Sequence, residues 1–404
     1  MGMEHKAVFG KVLLPLSKSI SNRLLLIRTL MTEECPMAQL SNSDDTYIMF
    51  QALGAQKKHI DVRHAGTAMR FLTAFLAQKE GVWEITGSER MQQRPIGGLV
   101  DALCCLGAEI EYMGKEGFPP LRINGKFLLG GEIEISASVS SQYVSALMLI
   151  APYMKNGLVI HLQGKVVSDA YINMTLQMMQ IYGAEVVRQG NRIHVAPQPY
   201  RSVVFQVEAD WSAASYFYEL LAVVRNGELH LMGLKRDSLQ GDKKQAELWH
   251  KLGVASQFTE KGLLLTSKNI EVAFLEYDFV EMPDLIPSFV VACCLLNIPF
   301  KFRGIETLRI KESDRVSALK NELNKIGYFL KVEDNDCLSW QGEKSTPEIN
   351  PWIQTYQDHR LAMAFAVATL KFPDLQIENK EVVSKSFPRF WEEWDHIVNI
   401  NDQK

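Results

Sequence analysis

The chain has 404 residues, 47% of them apolar and 22% charged, with a formal net charge of −4. This is a globular composition with apolar side chains enough for two to three domain cores. It excludes a nucleic-acid coat or a polybasic membrane surface, and no apolar run reaches the ~18 residues of a membrane span. No signal-peptide core stands at the N-terminus. The six cysteines form no C-x-x-C spacing, which fits a reducing cytoplasm. Cys35 and Cys337 stand alone. Cys104-Cys105 and Cys293-Cys294 lie in apolar helical runs and are expected to pack as small core hydrophobes.

In chain order, an apolar strand over 12–14 runs into Pro15-Leu16-Ser17-Lys18-Ser19-Ile20-Ser21-Asn22-Arg23, and an apolar helix over 24–31 follows. Serine caps helix starts. Ser19 and Arg23 are one turn apart, and the free N–H groups at such an end favour an anion. The stretch is read either as a phosphate or carboxylate cradle or as a capped helix with two solvated cations. His64-Ala65-Gly66-Thr67-Ala68-Met69-Arg70 opens a helix running through 76, with Gly66 allowing close approach to the backbone. Proline favours the first helical position, so Arg94 before Pro95 stands at a helix mouth.

Ser138-Val139-Ser140-Ser141-Gln142-Tyr143 and Val167-Ser168-Asp169 precede helices over 144–150 and 172–179, and Asp210-Trp211-Ser212 caps another. Glu281-Met282-Pro283-Asp284 precedes an apolar helix over 286–296. Lys311-Glu312-Ser313-Asp314-Arg315 precedes one over 316–326, and Gln357-Asp358-His359-Arg360 one over 361–370. Ser384-Lys385-Ser386 stands near the end.

Singly, each phrase is explained as well by capping and solvation. Together, Arg23, Arg70, Arg94, Arg315 and Arg360 all fall at or within first helical turns, where a cation opposes the helix dipole. Repetition of that local cost points to an anionic ligand, for which arginine forks and lysine point charges are suited. Asp284 and Glu312 either divide base and acid roles or are two surface charges. His359 is either a proton carrier or an orienting, structural histidine.

A helix end, a glycine and a strand recur at Gly54, Gly107, Gly183, Gly253 and Gly327, roughly 70 residues apart after a shorter first interval. Glycine at that place stops a helix in the left-handed conformation. Hairpins are expected over 109–123, 185–195, 255–265 and 329–340. Five copies of an α/β unit are visible, the first trimmed between Asp45 and His64, and a sixth is expected to be split between the chain ends. Six units exceed one core, and three plus three is the natural division.

The ordered phrases Ser-Lys-Ser-Ile-Ser-Asn-Arg, Ala-Gly-Thr-Ala-Met-Arg, Gln-Arg-Pro-Ile, Ser-Ser-Gln, Ser-x-x-Tyr, Pro-Asp, Lys-Glu-Ser-Asp-Arg, Asp-His-Arg and Lys-Ser-Phe-Pro resemble the 5-enolpyruvylshikimate-3-phosphate synthase family from about 13 to 390. The resemblance implies two similar α/β domains, each of three βαβαββ repeats in an inverse α/β barrel, with the active site in the cleft between them. One domain would comprise 1–17 with 208–404, the other 18–207. The implied reaction moves the enolpyruvyl group of phosphoenolpyruvate to the 5-hydroxyl of shikimate 3-phosphate and releases phosphate.

By the same resemblance, Lys18, Ser19, Arg23, Ser140, Ser141, Gln142, Ser168, Asp284 and Lys311 contact shikimate 3-phosphate. Lys18, Gly66, Arg94, Gln142, Arg315, Arg360 and Lys385 contact phosphoenolpyruvate. Asp284, Glu312, Lys18 and Lys385 carry the catalysis, Asp284 as base and Glu312 as acid. No metal or organic cofactor is implied, nor any nucleic-acid or membrane partner, and a cytoplasmic monomer is expected. Leu16, His64, Phe71 and Thr307 depart from the family's usual Gly, Asn, Pro and Asn, and bear on the shape of the donor pocket. A sister carboxyvinyltransferase acting on UDP-N-acetylglucosamine shares the implied fold, but its Lys-Asn pair and cysteine-bearing loop are not seen here. A silent anion-binding relative would not need both carboxylates.

Overall fold

The computed structural model describes residues 7–34, 38–55, 57–138, 140–334 and 336–399; Cys35 and Val139 lie outside them. The chain forms two compact units. Unit 1 is Met1–Leu16 with Glu208–Lys404, and unit 2 is Ser17–Val207.

The first strand, β1 (Val8–Leu13), belongs to unit 1. Unit 2 follows with α1 (Lys18–Leu30), α2 (Asp44–Leu53), β2 (His59–Asp61), α3 (Gly66–Gln78), β3 (Gly81–Thr86), α4 (Glu89–Gln92), α5 (Gly97–Cys105), β4 (Glu109–Tyr112) and β5 (Leu121–Gly125). It ends with β6 (Gly131–Ser136), α6 (Ser141–Ile150), β7 (Leu158–Gln163), α7 (Asp169–Ile181), β8 (Val186–Gln189) and β9 (Arg192–Val195). Unit 1 resumes with α8 (Trp211–Val224), β10 (Gly227–Met232), α9 (Gln245–Lys251), β11 (Val254–Thr259), β12 (Gly262–Ser267), β13 (Leu275–Asp278), α10 (Ile286–Leu296) and β14 (Phe300–Arg303). It closes with α11 (Arg315–Lys325), β15 (Lys331–Glu333), β16 (Cys337–Trp340), β17 (Trp352–Ile353), α12 (His359–Ala364), α13 (Ala368–Lys371), β18 (Gln376–Ile377) and α14 (Phe390–Asn399).

Four sheets share one strand order: β2-β3-β5-β4 and β6-β7-β9-β8 in unit 2, and β1-β10-β12-β11 and β13-β14-β16-β15 in unit 1. The leading pair of each is parallel, as a helical crossover requires. The trailing pair is the expected antiparallel hairpin. The split repeat is present, with Val8 opposite Gly227 and Leu13 opposite Met232.

The third repeat of each unit is reduced. In unit 1 it has only the parallel pair β17 and β18. In unit 2 it is α1 and α2, with no sheet of its own among the described residues. Gly107, Gly183, Gly253 and Gly327 take left-handed φ values of 80° to 95° and each turns its helix toward a hairpin. Gly54 stays at φ −83°, and no hairpin follows it. The sheets are open, and none closes into a barrel. The barrel of the expectation is therefore not a hydrogen-bonded one, because each repeat keeps its ladder bonds among its own strands.

Each repeat supplies one helix to a buried hub. In unit 1, α8, α10 and α12 pack on one another, and every residue of all three is buried. Helices apolar all round belong at the centre of a domain. In unit 2, α1, α3 and α6 make the equivalent hub. Cys293 and Cys294 are buried there as expected, but Cys104 and Cys105 are exposed. Helix α5 buries Leu99, Val100, Ala102 and Leu103, so the two thiols fall on its outer face. Among the described residues no helix is long and apolar enough to cross a membrane.

A buried acid sits inside the unit 1 hub. Glu219 on α8 is fully buried, and neither carboxyl oxygen has a hydrogen-bond partner in normal geometry. Burial pushes its carboxyl well above the usual carboxylate range, with Ser288 opposing only in part. An acid with a raised folded pKa favours folding below its unfolded pKa, and that contribution is lost as pH rises toward the folded value. Glu219→Leu is therefore expected to raise the melting temperature, with a larger gain at pH 8 than at pH 5. Thermal unfolding of both proteins across that range checks the sign.

Candidate active site

In unit 1 the motif residues converge on Asp284, which lies in the turn that leads into α10. Proline at 283 and again at 287 fixes the entry to that helix. The Asp284 carboxylate meets three cations: Arg360 at 2.8 Å, Arg315 at 2.9 Å and Lys311 at 3.6 Å. Burial alone would push this carboxyl up. The charges of Arg360, Lys311 and Arg315 outweigh it, against Glu312, and hold it well below the usual carboxylate range. Glu312 in turn pairs with Arg315 at 3.0 Å and Lys385 at 3.4 Å. Asp284, Lys311, Glu312, Arg315, Arg360 and Lys385 thus form one connected network.

The network hangs on a residue to which the sequence reading gave no role. Asp358, fully buried, accepts from Arg315 Nε at 2.7 Å and Arg315 Nη2 at 3.2 Å. It also accepts from the Ser313 hydroxyl at 3.0 Å, and it caps α12 through the Arg360 N–H at 3.0 Å. One carboxylate therefore orients one arginine by its fork and the backbone of the other. Asp358 looked like an ordinary cap, and only its depth distinguishes it. His359 is buried beside it, its Nδ1 3.8 Å from Asp358. Asp242 was also missed. Its buried carboxyl is pushed up to about 7 by burial, the Ser212 hydroxyl opposes this, and the Asp284 charge adds to it.

In unit 2 the sites lie at the starts of the hub helices and of their neighbours. Helix α1 begins at Lys18, at the expected Ser-Lys-Ser mouth, where Ser17 caps it through the Ile20 N–H. Lys18 pairs with Asp45 at 3.2 Å. Arg23 is buried and hydrogen-bonded within unit 2. It donates to Thr175 at 2.7 Å, to the Ser19 carbonyl at 3.0 Å, and to Ser145 and the Tyr171 carbonyl at 3.2 Å each. Its guanidinium lies 5.5 Å from the Phe71 ring centroid. Burial pushes the Arg23 pKa down to about 10.

Gly66 and Arg94 are together. A Cβ on Gly66 would come within 2.7 Å of Arg94 Nη1, so the space that glycine leaves open is occupied by the guanidinium. Gln142 donates to the Thr67 hydroxyl at 3.2 Å, which ties α6 to the start of α3. Ser140 caps α6 through the Gln142 N–H, and Ser141 is buried at its first position. Ser168 stands at the N-cap of α7 in a left-handed conformation, φ 55°, and its side chain makes no capping bond. A non-glycine residue held there is strained, and its hydroxyl is not used on its own helix.

Unit 1 therefore offers two carboxylates set among cations, suited to proton transfer beside an oxyanion. Unit 2 offers helix starts, hydroxyls and cations, suited to holding phosphate or carboxylate groups.

The family model described as EPSP synthase (3-phosphoshikimate 1-carboxyvinyltransferase) matches residues 53–394. The chain belongs to that family. A Bacteroides fragilis protein named 3-phosphoshikimate 1-carboxyvinyltransferase is 50% identical over 381 residues, 94% of this chain and 93% of its own. One of that name from Shewanella baltica is 34% identical over 96% of both chains. The solved EPSP synthase of Acinetobacter baumannii superposes with a TM-score of 0.75 over 98% of this chain and 96% of its own. At 20% identity that likeness speaks for the fold, which is the two-domain fold of EPSP synthases.

Breaking a buried ion pair from one side leaves a stranded charge. Asp358→Asn is expected to cost about 2–3 kcal/mol of stability, less than full loss because Asp284 and Glu312 still face Arg315. Urea unfolding of the variant measures it.

Proposed function

We propose that this protein transfers the enolpyruvyl group of phosphoenolpyruvate to the 5-hydroxyl of shikimate 3-phosphate, releasing phosphate, as a step of aromatic amino-acid biosynthesis. The observation that carries the reading is the ion-pair network of unit 1, in which Asp284 and Glu312 pair with different nitrogens of Arg315, Nη1 at 2.9 Å and Nη2 at 3.0 Å. Membership of the EPSP synthase family supports it. A binding protein for anions would need the cations alone; two carboxylates among them suit proton movement in two directions.

Asp284 takes the proton of the attacking hydroxyl as its oxygen bonds to C2 of phosphoenolpyruvate. Glu312 gives a proton to C3, and the product of both events is a tetrahedral intermediate. Loss of the C3 proton and departure of phosphate then leave the enol ether. Arg315, Arg360, Arg94 and Lys385 hold the donor's anionic groups, with Gly66 and Gln142 beside them. Ser19, Arg23, Ser140, Ser141, Ser168 and Lys311 hold shikimate 3-phosphate, and Lys18 serves both. Electrostatic stabilisation by such pre-set groups is a large catalytic term.

With three cations against it, Asp284 is a weak base. Donor phosphate and carboxylate drawing Arg315 and Arg360 toward themselves restores its basicity when the acceptor hydroxyl is in place. The reaction asks for no metal or organic cofactor, since the donor arrives activated. The protein works on this reading as a cytoplasmic monomer on small molecules, without nucleic-acid or membrane partners.

Phosphate release from phosphoenolpyruvate is expected only when shikimate 3-phosphate is present. Release with UDP-N-acetylglucosamine instead, or binding without turnover, would remove the proposal. In Asp284→Ala, kcat is expected to fall by about three orders of magnitude or more, while shikimate 3-phosphate binding weakens far less. Steady-state kinetics beside calorimetric titration separates the two effects, and near-normal turnover would take the base role from Asp284.

A further inference from the structure

The carbonyl of Pro95 has two donors. The Tyr143 hydroxyl donates to it at 2.6 Å, and Arg70 Nη2 donates to it at 2.8 Å. A carbonyl oxygen carries two lone pairs, so both are taken. Pro95 directly follows Arg94, and its ring fixes φ at that place. On the other side, the Arg94 N–H donates to the Met91 carbonyl at 3.1 Å. The short segment bearing Arg94 is thus pinned before and after the residue, while the guanidinium lies against Gly66.

Tyr143 also follows Gln142, whose amide reaches Thr67 beside Gly66. The first turn of α6 therefore touches both the Gly66-Thr67 helix start and the turn that carries Arg94.

We infer that Tyr143 is a positioning residue for Arg94: its hydroxyl, with Arg70, locks the Pro95 carbonyl and so fixes the guanidinium at Gly66 for an anionic group of the donor. The inference rests on the donor reading given above. The hydroxyl, and not the ring, is the point of interest. A phenylalanine would keep the ring's packing against Gly98, whereas a buried hydroxyl is costly unless it is bonded. Tyr143 is buried, and burial raises its phenol pKa, with Arg70 and Arg94 opposing. It stays a hydrogen-bond donor across the neutral range.

The test is Tyr143→Phe, assayed with both substrates varied. Loss of one neutral hydrogen bond corresponds to about a 2- to 10-fold change. The donor KM is expected to rise by that factor, with the acceptor KM and kcat moving by less than about twofold and the melting temperature near that of the wild type. The same substitution in an Arg94→Lys background should cost much less, since the two residues act through one another. An unchanged donor KM overturns the inference. So does an equal rise in both KM values, which marks a general loosening, or an equal cost in both backgrounds. A wild-type protein inactive with both substrates overturns the donor reading itself, an outcome distinct from an active wild type whose Phe variant is unaltered.

Discussion

A cation at the positive end of a helix is unfavourable unless an anion shares the place. That constraint organises the motifs of this protein. Helices in both units carry a cation in the first turn, Lys18 on α1 in unit 2 and Arg315 on α11 and Arg360 on α12 in unit 1, and the two units meet the cost differently. Unit 1 brings its own carboxylates: Asp284, Glu312 and Asp358 surround Arg315, whose guanidinium burial alone would disfavour and whose charge these acids restore. Unit 2 relies more on neutral groups. Arg23 is satisfied by two hydroxyls and two carbonyls, and burial lowers its pKa.

The difference suits a division of labour. A cluster already holding acids can move protons, because its cations are available to whichever anion, internal or external, stabilises them better. A cluster of cations, amides and hydroxyls holds a phosphate or carboxylate without competing for its protons. Buried salt bridges of this kind add little net stability compared with apolar packing; here they are retained at the candidate site, while most of the buried hub residues are apolar.

Much of this was legible in the chain. Helix starts followed from serine, aspartate and proline, and four hairpins followed from a glycine in the left-handed conformation. The trimmed first repeat followed from spacing, and Gly54, which stays right-handed, leads into no hairpin. What could not be read was depth. Cys104 and Cys105 sit in an apolar run, yet α5 turns them outward because only one of its faces meets the sheet and hub. The four internal partners of Arg23 could not be read either, since they come from α1, α6 and α7, far apart in sequence. Asp358 and Asp242 resembled ordinary polar residues near helix starts, and only tertiary burial gives them weight. Gly66 was expected to make room for a ligand, and the group found against it is Arg94.

The pairing of β1 with β10 sets an order on biosynthesis. Strand β1 finds its ladder partner more than two hundred residues downstream, packs on α14 near the far end, and receives a carboxylate from Glu393 at the Leu13 N–H, 2.9 Å. A growing polypeptide leaving the ribosome holds the whole of Ser17–Val207 before either partner of β1 exists. The contiguous unit can therefore consolidate during translation, while the first strand stays unpaired, exposed to aggregation, until β10 emerges, and uncovered until α14 follows.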